Sequence, residues 1–224
     1  MERGPSKDIE HYKSLKQGSE EWLQARKDFD LTASELGPAL GLGRFHTRLQ
    51  LYRAKKKVSS PKKEGKGTQT AFEYGRLHEA DAAQEFQQSC CASSGFVLTE
   101  TGIWPLYYDS FSLGVSPDRL VIDPENEGAV VATYEAKCPV SGKLMNPPHP
   151  EYLLQVHAQI QAVSVDEGYL HADAGEEFVL SRAGMMSCGM SWLGQPRDLL
   201  SNTFARTCLH LRPMMTTTSM WAIS

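Results

Sequence analysis

An acidic residue and an acidic–basic pair stand at the ends of two short apolar runs. Asp118 precedes one run, and Glu135 and Lys137 end a second run that begins at residue 130. Side chains two positions apart on a strand face the same way, so a strand ending in Glu135-Ala-Lys137 directs a carboxylate and an ammonium group at one point. The polar stretch over residues 123–128 predicts a hairpin connection, which would place Asp118 alongside them.

These residue types can act on a phosphodiester. Two carboxylates suit a hard divalent cation such as Mg²⁺, which prefers oxygen ligands and retains water. A cation held there activates a water molecule and neutralises phosphate charge, while Lys137 orients the water or stabilises the transition state. Glu79 and the carbonyl of Ala136 could add oxygen ligands. An exposed strand with alternating charges is the structural alternative, because that pattern gives the same spacing without chemistry.

Local patterns predict the elements that must position these residues. An apolar stripe near the helical period predicts a long helix that carries Glu79. The stripe consists of Phe72, Leu77, Ala80, Ala83 and Phe86. Helices are expected over residues 20–27, 32–43, 48–56, 69–92 and 151–163. Short β-branched or aromatic runs between turn signals predict strands over residues 96–104, 112–115, 119–122 and 130–137.

Length and composition limit the class of protein. The chain has 224 residues, of which 41% are hydrophobic and 22% charged, as expected for one globular domain with or without a tail. It has neither a run of about 18 apolar residues nor an apolar N-terminal stretch. Five cysteines without a Cys-x-x-Cys pair fit a reducing environment. We therefore expect a soluble, intracellular protein, whose compartment the sequence does not specify.

Charge is distributed unevenly along the chain. Residues 1–67 carry 15 Lys and Arg against 9 Asp and Glu, whereas residues 68–224 carry 8 against 18. A basic front and an acidic back suit a protein that contacts a polyanion through one segment and holds cations in another. A solvated basic loop on an acidic domain is the alternative, since residues 57–68 are rich in Lys, Gly, Ser and Pro.

Five segments, in order, resemble the YqaJ and lambda-exonuclease family of viral recombinases, which lies within the PD-(D/E)xK nuclease superfamily. Each motif is short, and the ordered set over residues 17–163 carries the resemblance. The segments are Gly18-Ser-Glu-Glu-Trp22 with Arg26 and Leu31-Thr-Ala-Ser34, then Tyr74-Gly-Arg-Leu-His-Glu79, Gly114-Val-Ser-Pro-Asp118, Glu135-Ala-Lys-Cys-Pro139 and Tyr152-Leu-Leu-Gln155-Val.

The resemblance implies a fold and a domain layout. The fold is α/β, a mixed central sheet flanked by helices around a restriction-endonuclease-like core. The exonuclease domain would cover residues 17–180. The polar composition of residues 1–16 predicts a disordered segment before it, and residues 181–224, rich in Ser, Thr, Met and Gly, predict a divergent, poorly ordered tail. The family continues with a further strand and a closing helix, whereas residues 169–180 are expected to give at most one strand.

The resemblance also implies roles for individual residues. The metal site would consist of Glu79, Asp118, Glu135 and the carbonyl of Ala136. Lys137 matches the catalytic lysine. The positions that match binding of a DNA 5′-phosphate are Arg26, Ser34, Ser116 and Gln155. His157 stands where the family has a second glutamine, for which Gln159 could substitute. Structural alternatives remain for the phosphate set, such as a surface salt bridge for Arg26 and a turn for Ser116.

The implied activity is Mg²⁺-dependent hydrolysis of double-stranded DNA from 5′ ends, with Mn²⁺ as an alternative metal. Family members include homotrimers and partners of single-strand annealing proteins, and no membrane role is expected. Two other functions stay open. One is a DNA-end-binding protein without turnover, and the other is a structure-specific or restriction-type endonuclease on the same core. An inactive gene fragment that does not fold cooperatively is a further alternative.

Overall fold

A computed structural model describes residues 9–56, 66–92, 94–141, 144–172, 177–182 and 184–187. The helices are α1 (Ile9–Ser14), α2 (Glu20–Ala25), α3 (Leu36–Leu40), α4 (Arg48–Lys55), α5 (Lys66–Phe86) and α6 (Pro150–Val163). The strands are β1 (Leu31–Thr32), β2 (Val97–Thr99), β3 (Trp104–Tyr107), β4 (Ser112–Val115), β5 (Arg119–Asp123), β6 (Ala129–Lys137), β7 (Glu167–Ala172), β8 (Glu177–Ser181) and β9 (Gly184–Ser187).

Among the described residues, the strands form two sheets. The smaller sheet has the order β1-β4-β3, with β1 parallel and β3 antiparallel to β4. The larger sheet has the order β2-β5-β6-β7-β8-β9, and its one parallel pair is β6 with β7. The mixed sheet flanked by helices confirms the expected fold class.

Helix α6 connects the two parallel strands and covers the larger sheet. It begins with Pro150 in its first turn, a position where the missing N–H costs nothing. Its apolar face includes Val156 and Ile160, which pack with Leu170 of β7, and all three are almost completely buried. Adding a Cβ at Gly168 would bring it within 2.8 Å of Val156 Cγ1, so glycine is what allows this close approach of helix and strand.

Helix α5 covers the larger sheet through a cluster that includes Ala82, Ala83, Phe86 and Tyr134. The Phe86 and Tyr134 rings lie 4.7 Å apart. The buried face therefore runs through Ala82 and Ala83 rather than through Leu77, which is 69% exposed. The predicted stripe was wrong at Leu77 and at Ala80, which is also exposed, because a window of apolar residues does not show which side of the helix meets the sheet.

The N-terminal segment differs from the expected disorder of residues 1–16. Helix α1 buries Tyr12, and Leu15 follows it into the same cluster with Phe29 and Ile103. The backbone carbonyl of Tyr12 accepts a hydrogen bond of 2.8 Å from Ile103. These long-range contacts are absent from the local sequence pattern, which is mostly polar. Residues 1–8 lie outside the described residues.

Two regions that were each expected to contain at most one strand contain parts of two strands. Over residues 96–104, β2 and the first residue of β3 belong to different sheets. Gly102 lies between them, where an added Cβ would come within 2.3 Å of the carbonyl oxygen of Tyr12. Over residues 169–180, β7 and β8 pair antiparallel, so the expectation of at most one strand was wrong. The expected interruption, Ala172-Asp-Ala-Gly175, begins at the last residue of β7. Residues 173–176 lie outside the described residues.

The larger sheet continues past residue 180. Strand β9 pairs antiparallel with β8, so the first residues of the expected poorly ordered tail extend the sheet. Residues 188–224 lie outside the described residues. Along the part of the chain that the structure describes, no helix combines the length and apolar content needed to cross a bilayer.

Candidate active site

The end of β6 brings together the predicted carboxylate and lysine. Glu135 and Lys137 lie on one face of the strand, and Lys137 Nζ donates a hydrogen bond to Glu135 Oε1. Glu135 is almost completely buried. Lys137 retains 21% side-chain exposure, and its ammonium lies 5.4 Å from the centre of the Tyr152 ring. The period-two spacing therefore positions the pair as the sequence predicts.

Asp118 reaches the same place from the preceding hairpin. Strands β5 and β6 pair antiparallel with Arg119 opposite Tyr134, which leaves Asp118 just before β5, beside the end of β6. The backbone N–H of Ala136 donates a hydrogen bond of 2.8 Å to Asp118 Oδ2. The peptide between Glu135 and Lys137 thus contacts the third predicted site residue directly.

Glu79 approaches from helix α5 and is held near this hairpin by Arg119. The Arg119 guanidinium donates a hydrogen bond of 2.6 Å to the backbone carbonyl of Asp118. The same Nη1 lies 3.9 Å from Glu79 Oε1. Arg119 therefore lies between helix and hairpin at the site, a residue that the sequence analysis did not assign to it.

Burial and neighbouring charge raise the pKa of two carboxylates of the site, Asp118 and Glu79. Burial raises the pKa of Asp118 well above its ordinary value, and the neighbouring charges of Glu135 and Glu79 raise it further. Burial and Glu135 also raise the pKa of Glu79, against the opposing effect of Arg119. Burial alone would lower the pKa of Lys137, but Glu135 and Asp118 outweigh it and keep this lysine charged.

Helix α6 contributes two amides to the same carboxylate. Gln155 Nε2 donates to Glu135 Oε1 at 2.6 Å, and Gln159 Nε2 donates to Glu135 Oε2 at 2.5 Å. Residues four apart share one face of a helix, so both amides meet the end of β6. The structure thus places Gln155, a predicted phosphate-binding residue, on Glu135, with Gln159 beside it.

The donor set suits a hard divalent cation. Three carboxylates crowd a partly buried space where two of them have raised pKa values, and oxygen donors with excess negative charge are what Mg²⁺ prefers. In the conformation described, no three His, Cys, Asp or Glu side chains within the described ranges form a closed ligand cage. In this conformation both oxygens of Glu135 accept hydrogen bonds, from Lys137, Gln155 and Gln159.

A second polar group, here called the Arg26 group, consists of Arg26, Thr32 and Ser34 and lies next to Trp22. Arg26 Nη2 lies 3.4 Å from both Thr32 Oγ1 and Ser34 Oγ. Its guanidinium stacks 4.5 Å from the centre of the Trp22 ring, and Trp22 is buried as a core aromatic. Burial lowers the pKa of Arg26, an effect that Glu35 opposes. Two hydroxyls and a guanidinium in contact are suited to phosphate oxygens.

A cleft lies beside the carboxylates, and Trp22, which contacts Arg26, forms part of its wall. Its volume is about 630 Å³, and its wall includes Lys16, Trp22, Arg76, Glu79, Asp118 and Arg119. Ser116 lies two residues before Asp118 between β4 and β5 and is half-buried. Within the described part of the chain, no hydrogen bond connects Ser116 to Arg26, Ser34 or Gln155. The structure therefore brings together Arg26 and Ser34, and separately Gln155 and Glu135.

Sequence reasoning missed three residues that shape the site. Arg119 follows Asp118 directly, and Thr32 lies inside the motif that ends at Ser34, so motif position could have identified both. Gln17 donates hydrogen bonds to the carbonyls of Thr101 (2.9 Å) and Pro117 (2.6 Å). No local pattern signals this role, because both partners are backbone atoms distant in sequence.

Fold and sequence together define the class. A mixed sheet with Asp118 at one strand and Glu135-Ala-Lys137 at the end of the next is the restriction-endonuclease-like arrangement of the PD-(D/E)xK type. Residues 21–165 match the model of the YqaJ-like viral recombinase domain. The chain belongs to this family. No curated protein sequence matches it significantly.

Solved structures share the fold at low identity. The crystal structure of an alkaline exonuclease, LHK-Exo, from Laribacter hongkongensis is 20% identical, with a TM-score of 0.50 over 86% of this chain and 91% of that one. LHK-Exo in complex with dAMP aligns with a TM-score of 0.52, at the same identity and coverage. At this identity the similarity establishes the fold alone.

Proposed function

We propose that the chain is a Mg²⁺-dependent exodeoxyribonuclease that hydrolyses double-stranded DNA from 5′ ends. The observation that carries the proposal is the convergence of Asp118, Glu135 and Lys137 beside a cleft that also contains Glu79. Family membership and the shared fold support a DNA exonuclease. The metal and the direction of cleavage rest on the site chemistry and on the family resemblance.

Different residues would hold the metal, orient the attacking water and fix the carboxylate. A divalent cation held by Glu79, Asp118, Glu135 and the Ala136 carbonyl, with Mn²⁺ as an alternative to Mg²⁺, would supply Lewis-acid polarisation of the scissile phosphate. Lys137 stays protonated beside Glu135, so its ammonium can orient an attacking water or donate to a developing negative charge. Gln155 and Gln159 fix the carboxylate that holds Lys137 in place.

The Arg26 group would bind the terminal phosphate of the DNA end. A guanidinium that contacts two hydroxyls offers several hydrogen-bond donors to a terminal phosphate. Trp22 fixes the plane of this guanidinium and lines the cleft of Asp118 and Glu79. A 5′-phosphate bound there would position the adjoining strand relative to the carboxylates, which is the geometric basis for cleavage from an end.

The test is digestion of linear duplex DNA that carries 5′-phosphates, with and without Mg²⁺. We expect Mg²⁺-dependent shortening of linear DNA and no attack on covalently closed circles. Lys137→Gln should abolish the digestion, whereas Lys27→Gln, at an exposed position, should not. Release of nucleotides from 3′-labelled ends first would refute the proposed direction, and cleavage of closed circles would establish an endonuclease instead.

A second candidate function is DNA-end binding without turnover. The observation that favours it is the engagement of Glu135 by three donors, which leaves neither carboxylate oxygen without a hydrogen bond. Such a protein would bind 5′-phosphorylated ends, and no product would form at any Mg²⁺ concentration. A cooperative melting curve recorded on the same sample separates this outcome from an inactive, unfolded chain.

The proposal includes an assembly and a partner by family resemblance. A homotrimer would place three copies of the cleft around one duplex, and a single-strand annealing protein would receive the strand left by digestion. Light scattering coupled to size exclusion measures the first, and co-elution with an annealing protein measures the second.

A further inference from the structure

We propose that Arg119 is a second phosphate-binding residue of the cleft, which pairs with Glu100 in the protein alone and with a phosphate of the DNA strand in the complex. This inference rests on the proposed function only in taking duplex DNA as the ligand of the cleft. It assigns a substrate contact to a residue outside the predicted metal and end-phosphate sets.

The position of Arg119 gives the first argument. It directly follows Asp118 and lines the same cleft as Asp118 and Glu79. Its side chain is 21% exposed, so it is anchored in the wall and still reaches the open space. A phosphodiester bound in this cleft beside Asp118 and Glu79 would therefore lie within reach of this guanidinium.

The hydrogen bonds of Arg119 give the second argument. Nη1 is fixed by the carbonyl of Asp118 at 2.6 Å. The contacts to Glu79 (3.9 Å) and Glu100 (3.6 Å) are longer than the roughly 2.7–2.9 Å of charge-assisted hydrogen bonds. One anchored nitrogen sets the orientation, and the remaining donors are held only by loose ion pairs. A phosphate can therefore take up these donors without breaking the anchor.

Glu100 explains how the arginine is held before DNA arrives. Its side chain is 70% exposed, so solvent screens the pair and makes it weak. A phosphate oxygen competes for the same Nη2, and binding then releases Glu100 into solvent. Glu100 therefore acts as a competitor of the DNA backbone, and its removal should strengthen binding.

The surrounding charges favour the same occupant. Lys16 and Arg76 lie on the wall of this cleft and are exposed. Together with Arg119 they offset the carboxylates that would otherwise repel a polyanion. Arg26 stacks on Trp22 and is not itself part of the cleft wall, so the cations that face a strand in this cleft include Arg119, Lys16 and Arg76.

The test measures DNA binding without cleavage. Fluorescence anisotropy with 5′-phosphorylated linear duplex in EDTA gives Kd across a series of salt concentrations. Arg119→Gln should weaken binding roughly tenfold, the loss of one charge-assisted hydrogen bond. It should also reduce the slope of log Kd against log salt by about 0.9, the value for one phosphate contact. Glu100→Gln should tighten binding, and this gain should vanish in the Arg119→Gln background.

Two controls make the outcome specific. Arg182→Gln removes another arginine that contacts a carbonyl (Val165, 2.7 Å) and a carboxylate (Asp166, 3.5 Å) and should leave Kd and slope unchanged. Arg119→Lys retains the charge and should preserve most of the slope. Variants are compared only where their melting is cooperative.

Unchanged Kd and slope in a folded Arg119→Gln variant would overturn the inference, as would weaker binding in Glu100→Gln. Binding that depends on Arg119 without any digestion would refute the proposed function alone. Digestion by a protein whose DNA binding does not depend on Arg119 would refute this inference alone.

Discussion

Gln159 donates a hydrogen bond of 2.5 Å to Oε2 of Glu135, and both side chains are almost completely buried. The contact crosses from helix α6 to strand β6 and, with that of Gln155, encloses both oxygens of one carboxylate. A buried charge without partners is costly, so these amides make a carboxylate at this depth tolerable. They also fix the orientation in which Glu135 meets Lys137.

Replacement of Gln159 by Leu should therefore destabilise the fold and the site together. Loss of this donor leaves Glu135 Oε2 buried and unsatisfied, at a cost of about 1–3 kcal/mol. Urea unfolding measures the stability, and single-turnover digestion measures the activity. Gln161→Leu is the matched control, because Gln161 is exposed on the same helix. Equal stability of the two variants would show that the Gln159 amide does not support Glu135.

Divalent cations should raise the melting temperature. Burial and neighbouring carboxylates raise the pKa of Asp118 and of Glu79, and a bound cation relieves this repulsion. A ligand specific for the folded state stabilises it by about 2.7 kcal/mol at one hundred times its Kd. Differential scanning fluorimetry with MgCl₂, against NaCl at matched ionic strength, measures the shift. Asp118→Asn should lose most of it. The same increase with both salts would argue against a site.

Without a divalent cation, Asp118 should make stability depend on pH. Its folded-state pKa is raised, so the stability linked to this carboxyl is present below the ordinary value of about 3.9 and is lost as the pH rises through the folded-state value. Asp118→Asn should thus be more stable than the native protein at pH 7, and the gap should close toward about pH 4. Urea unfolding in EDTA at several pH values measures it.

Comparing Asp118→Asn with the native protein also cancels the effect of His157 titration on stability. Burial lowers the pKa of His157, so its contribution to stability decreases as the pH falls below the ordinary value of about 6.5. Both proteins share this residue, and their difference isolates Asp118. A gap that stays constant with pH would contradict the raised pKa of Asp118.

Arg26 should determine the preference for phosphorylated ends. Its guanidinium lies at Thr32 and Ser34, and Arg26→Ala removes it from a 5′-phosphate. We expect a roughly tenfold lower initial rate on 5′-phosphorylated duplex and little change on 5′-hydroxyl duplex, so that the ratio of rates approaches one. Lys27→Ala, one residue away and exposed, should preserve the ratio. An unchanged ratio in Arg26→Ala would place end recognition elsewhere.

The sequence predicts strand β6 well and the N-terminal segment poorly, for a physical reason. The period-two spacing of Glu135 and Lys137 is a local property, and a run of nine residues in β6 satisfies it without help from other segments. Tyr12 is buried because Phe29 and Ile103 lie beside it. That burial depends on contacts between distant positions, which a local window cannot contain.

The same distinction applies within the site. The order of motifs identifies Asp118, Glu135 and Lys137, and the structure brings them together. The role of Gln155 could not be assigned from its type, because a glutamine can serve a phosphate or a carboxylate equally well. Its distance of 2.6 Å to Glu135 becomes visible only when α6 packs on β6. Arg119 follows Asp118 directly in the sequence, but its contact with the Asp118 carbonyl is visible only in the structure.

The parallel pair of β6 and β7 with α6 between them has a consequence for folding. Glu135, Lys137 and both glutamines belong to this one unit, and the two glutamines sit one helical turn apart. If α6 docked one turn out of place, by about 5.4 Å, one oxygen of Glu135 would be buried without a donor. A purely apolar interface would tolerate such a slip far more readily, so the groups that serve chemistry also select the alignment of helix on sheet.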